Sequence, residues 1–192
     1  LALKKIRHLY TESKKHEKVQ FLIDLYLEEI VLLKKMNKNI TLSNILETKH
    51  AEIMTYINET KNILAVHKTY HKVNYHLLLN GVSKTEEEKA YYNDVYTKLN
   101  TMPKNKLLIH STEYFRLLGL ISTNFGLNNT TEALEKSNIL SDKFIKYSVH
   151  QKKDLYEYAT IFHNNLLLLL ISKDFSSFDE KINNYKNTTP TH

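Results

Sequence analysis

One helical spacing recurs four times along this 192-residue chain and limits what it can fold into. Leu3, Ile6, Tyr10, Val19 and Ile23 stand apart by gaps that return as Tyr70, Val73 and Leu77 ahead of Gly81. They return again as Phe115, Leu118 and Gly119 ahead of Gly126, and as Phe162, Asn165, Leu166 and Leu169 ahead of Asp174, Phe175, Phe178 and Ile182. Apolar residues three and four apart mark one face of a helix. Two such stripes around a short break describe a helix, a tight turn and a second helix. Repeated hairpins of this kind bury their apolar faces against one another and stack into a solenoid. A solenoid is usually a binding surface rather than a reaction vessel.

The punctuation agrees. Only three Gly and two Pro occur, too few for the turns of a β-sandwich or an α/β domain of this length. Hydrophobic residues make up 42%, enough for a core and too many for a disordered chain. With no cysteine, disulfides, thiolate zinc sites and thiol catalysis are excluded. The longest apolar run, Leu166 to Ile171, is far short of the roughly 20 residues that cross a bilayer, and is expected to be a fully buried stretch of helix. No signal-peptide pattern is visible, so a cytoplasmic protein is expected. The chain opens at Leu1 already in a helical pattern, as a part of a longer protein would. The Asn-x-Thr matches at Asn39, Asn58 and Asn129 are put down to the Asn-rich composition.

The expected elements follow from stripes and caps. Helices are expected over about 1–11 and to about Met36, with Ser13 to His16 as the turn. After a break at Asn37 to Asn39, Thr41 is expected as an N-cap, and residues 42–80 form one long helix or two with a kink near His67. Gly81 reads as a left-handed terminator, and Thr85 with Glu88 as a capping box for a helix to about Asn100. Further helices are expected over about 104–125 ending at Gly126, from an Asn129 or Thr130 cap to about Ser148, over 152–172, and over 177–185. Gly119 reads as a point of close helix approach. Residues 1–187 are expected to form a single domain of about four hairpins, with 188–192 as a polar tail.

The third hairpin resembles a tetratricopeptide repeat: Phe115-x2-Leu118-Gly119, then Gly126, then Ala133 ahead of a second apolar stripe. It departs by about two inserted residues before Ala133, and Ser137 stands where that family prefers an aromatic. The Lys, Asn, Ile and Tyr bias is similar to that of uncharacterised helical-repeat proteins of bacteria. The resemblance implies an all-α fold of antiparallel helix-turn-helix repeats in a right-handed superhelix. It also implies an extended peptide held on a concave face by the first helix of each hairpin. By position this puts Lys4, His71, Arg116 and His163 in one column, with His8, Lys68, Tyr75, Glu113, Thr123 and Asn124 nearby. Lys and Arg make strong charge-assisted bonds to carboxylates, so an acidic or C-terminal segment is the expected partner.

No phosphate loop, dinucleotide fingerprint or nucleophile elbow occurs, and neither catalysis nor a cofactor is expected. His67 and His71 are four apart, on one helical face where they could share a metal, but no carboxylate completes the set at helical spacing, so two exposed histidines and no metal are expected. The formal charge of +6 and the pairs Lys14-Lys15, Lys34-Lys35 and Lys152-Lys153 admit a second class, a nucleic-acid-binding repeat with tyrosines stacking on bases. A third class is the sensor or regulatory segment of a larger transcriptional or signalling regulator. Self-association into a homo-oligomer, by burial of uncapped end helices, stays open as well.

Overall fold

The structure, a computed structural model, describes residues 2–36, 38–148 and 155–188. Among the described residues are eight α-helices and no strand. They are α1 (Ala2–Lys15), α2 (Val19–Lys35), α3 (Asn39–Asn80), α4 (Glu86–Thr101), α5 (Ile109–Gly126), α6 (Thr130–Ser148), α7 (Leu155–Ile171) and α8 (Phe175–Thr188). The expected all-α class holds. Lys152-Lys153 and all of the polar tail but Thr188 lie outside the described residues.

Three hairpins share one turn. Glu17, Asn128 and Lys173 each have a left-handed φ, of 51, 61 and 60°. In each case that residue's N–H bonds the carbonyl three back, at Lys14, Phe125 and Leu170. The next N–H reaches five back, at Ser13, Asn124 and Leu169. This double closure satisfies the orphan carbonyls at a helix end, and the following helix starts two residues past the left-handed position. Asn129 and Asp174 then serve as N-caps, accepting from the N–H of Glu132 and Ser177. The last helix therefore starts at Phe175 and not at Ser177.

The chain divides into two compact units, Leu1–Ala65 with Pro103–Thr112, and Val66–Met102 with the residues from Glu113 on. Two of the three crossings between them fall inside helices, α3 and α5, and the third falls between Met102 and Pro103, in the loop after α4.

In the first unit α2 turns Leu22, Leu25, Tyr26 and Leu33 inward against Tyr10, Ile45, Ile53, Tyr56 and Leu108. Glu29 occupies the same inward stripe, fully buried, and is neutralised by Arg7 at 3.1 Å and by Lys49. Three expectations fail here. α1 continues through Ser13 to Lys15, because the turn sits at Glu17. α3 begins at Asn39, so Thr41 lies inside its first turn and caps nothing. Residues 104–108 are not helical, and a side chain distant in sequence takes the N–H groups of 106–108. Glu59 receives those of Lys106, Leu107 and Leu108 at 2.9, 2.9 and 2.8 Å, and the amide of Asn105 bonds Thr112 and the Glu59 carbonyl.

In the second unit Val66, Val73, Tyr92, Val95, Leu99 and Leu120 form one cluster. Leu117, Leu118, Ile121, Ala133, Leu140, Ile161 and Leu168 form another. The capping box at Thr85 and Glu88 is present, and Gly81 (φ 73°) ends α3. A Cβ on Gly119 would stand 2.8 Å from Leu99, which is the expected close approach. Gly126 meets the Tyr92 ring, whose hydroxyl donates to the Gly81 carbonyl at 2.9 Å. Ser137 accepts the buried Asn165 amide at 3.0 Å, a polar bond between α6 and α7. The run 166–171 is not fully buried: Leu168 and Leu169 are interior, while Leu167, Leu170 and Ile171 are exposed on a face that neither α6 nor α8 covers.

Candidate interaction surface

From Val66 to Asn80, α3 has two unlike faces. Val66 and Val73 are buried and Leu77 packs with them, at spacings of seven and four. On the opposite side Lys68, His71, Lys72, Tyr75, Leu78 and Leu79 are all exposed, at steps of three, one, three, three and one. That is a single helical stripe about 16 Å long. Tyr75, Leu78 and Leu79 are 65%, 76% and 65% exposed, large apolar groups left in water. No Asp or Glu occurs between residues 60 and 80, so the stripe is basic at one end and apolar at the other.

His67 and His71 meet beside it. Their Nε2 atoms are 2.9 Å apart, in a hydrogen bond that requires one protonated and one bare nitrogen. The rings cross at 75°, and His67 also stands edge-on to Phe115 at 4.4 Å. Burial, and then the neighbouring His71, hold His67 below the ordinary imidazole pKa.

The expected column is only partly brought together. Lys4 and His8 are exposed on α1 in the first unit, while His71, Arg116 and His163 belong to the second. His163 is exposed on α7. Arg116 is mostly covered and paired with Glu113, which also holds Lys143 at 3.1 Å. Thr123 and Asn124 are corrected outright: both are interior, donating to the carbonyls of Gly119 at 2.7 Å and Leu120 at 3.0 Å, and neither can touch a partner. Of the expected set, Lys68, His71 and Tyr75 share the exposed α3 stripe.

Lys72, Leu78 and Leu79 were not singled out from the sequence. The signal was present, because Leu77, Leu78 and Leu79 are consecutive and only Leu77 continues the inward spacing from Val66 and Val73. Of the basic pairs, Lys14 is engaged by Glu52 and Lys15 by Glu12 at 2.6 Å. Tyr10, Tyr26, Tyr56 and Tyr92 are core residues and not a stacking platform. No helix among the described residues is long and apolar enough to cross a membrane.

No family model, curated protein or solved structure matches this chain.

Proposed function

We propose that this chain is a non-catalytic protein-interaction module of stacked helical hairpins, a tetratricopeptide-like right-handed superhelix, that docks an acidic, partly apolar polypeptide. The observation that carries the reading is the α3 stripe of Lys68, His71, Lys72, Tyr75, Leu78 and Leu79. Exposed aromatic and aliphatic groups beside cations are what an amphipathic peptide with carboxylates at one end would cover. The repeated turn at Glu17, Asn128 and Lys173 supports the hairpin-repeat part of the proposal. The docking site differs from the expected column in resting on one helix.

A peptide-display selection against the purified protein tests this. Selected sequences should combine acidic and apolar residues and should lose binding to Leu78→Glu and to the Lys68→Glu, Lys72→Glu pair. Selected sequences without acidic character, or equal binding to those variants, would refute it.

A further inference from the structure

The geometry points to a second, separate capacity: His67 and His71 form a two-histidine chelate for a divalent transition metal of the copper or nickel kind. Of the ten histidines, these are the only two spaced four apart in the sequence. In the structure the spacing is realised as two Nε2 atoms 2.9 Å apart, facing one another. A metal bound at about 2.0–2.1 Å from each nitrogen would subtend an angle of about 90° between them. That angle belongs to adjacent corners of a tetragonal site, the preference of Cu(II) and Ni(II), whereas a tetrahedral ion needs its ligands further apart.

The rings are held in place before any metal arrives. His67 is fixed against Phe115, and the His71 ring lies 4.8 Å from that of Tyr70. The existing bond already requires one bare Nε2, and the metal takes the place of the proton on the other. That proton moves to Nδ1 of the same ring, a change of tautomer that leaves two neutral imidazole ligands.

No group of three His, Cys, Asp or Glu side chains that could hold a metal is present among the described residues. His71 is exposed, so the remaining positions would be taken by water. The local charge opposes a cation, with Lys68 and Lys72 adjacent in sequence and no carboxylate between 60 and 80. Binding here would therefore come from nitrogen coordination and not from charge, and salt should not weaken it. A carboxylate site would behave in the opposite way. The inference does not depend on α3 docking a peptide.

The test is titration of the whole chain with copper(II) chloride, and separately with nickel(II), followed by calorimetry and, for copper, electron paramagnetic resonance. His71→Gln, His67→Gln and the control His163→Gln are compared with the parent. The two imidazoles act as linked ligands, so losing either should weaken the first equivalent at least about tenfold. His163→Gln should leave it unchanged, and the copper spectrum should report two nitrogens. His71 is exposed, so His71→Gln decides the matter even if His67→Gln disturbs packing on Phe115. Parent-like binding by His71→Gln, a single-nitrogen spectrum, or affinity that falls with added salt would overturn the inference.

Discussion

Glu17 accepts the backbone N–H of His110 at 2.9 Å and that of Ser111 at 3.0 Å, across separations of 93 and 94 residues. The Ser111 hydroxyl donates to the same carboxylate. A negative group on the first-turn N–H donors of a helix satisfies orphan donors and complements the helix dipole. Glu17 does this from a left-handed turn position that glycine usually fills. Glu17→Ala should therefore cost about 2 kcal/mol, the scale of charge-assisted bonds. Glu17→Gly should cost less, since glycine relieves a backbone strain of about 1 kcal/mol while losing the same cap. Urea denaturation of the two variants checks the order. A Glu17→Gly variant more stable than the parent would mean that the cap contributes less than the strain that glycine relieves.

Glu59 plays the corresponding part for 106–108, with three backbone N–H donors on a buried carboxylate. Glu59→Gln replaces one acceptor oxygen with a donor that faces other donors. The expected loss is about 1–3 kcal/mol. Proteolysis should move in parallel, with new cleavage after Lys104 or Lys106. Unchanged stability and an unchanged digestion pattern would remove Glu59 from this role.

Gly126 and Gly119 should respond differently to alanine. At Gly126 the new methyl falls inside the Tyr92 ring, which is buried and tied to Gly81. Gly126→Ala should cost about 1–3 kcal/mol by overpacking. At Gly119 the obstacle is the flexible end of Leu99, 2.8 Å away. There the helix propensity of alanine, worth about 1 kcal/mol, offsets much of the clash. Thermal unfolding of both variants, with Tyr92→Leu added to Gly126→Ala, should show partial rescue only in that pair.

The first unit should weaken in alkali. Burial, reinforced by Glu52, holds the Tyr10 phenol well above the ordinary tyrosine value. Burial and then Glu52 push Tyr56 from 10.0 up to about 12. Above pH 10 the unfolded chain gives up these protons while the folded chain keeps them. The unfolded state then binds fewer protons, so stability falls as pH rises. For Tyr56 the fall runs from about pH 10 to about pH 12. Each phenol contributes a slope of up to about 1.4 kcal/mol per pH unit. Tyr10→Phe and Tyr56→Phe should flatten the urea midpoint against pH, and an unchanged slope in both would count against the account.

What could be read from the residues alone was local. Apolar spacing gave the helices, Thr85 with Glu88 gave a capping box, and Gly81 gave a stop, because each signal lies within a turn or two of the backbone it controls. The left-handed turns at Glu17 and Lys173 carry no glycine, so the break in apolar spacing placed a turn near each but did not mark the left-handed residue. For α3 the same periodicity contained both faces, but which of its leucines would be covered depended on where α4 and α5 pack.

The sequence by itself determined an all-helical chain with hairpin turns, since helix formation and capping are governed by neighbours along the chain. Only the tertiary structure decided that residues 104–108 stay out of helix, that Thr123 and Asn124 are interior, and that Lys68, His71, Lys72, Tyr75, Leu78 and Leu79 face water. Those outcomes rest on partners distant in sequence: Glu59 arrives 47 residues ahead of Lys106, and no local spacing encodes it. Burial is a property of what packs against a residue, and that is settled only once the helices have met.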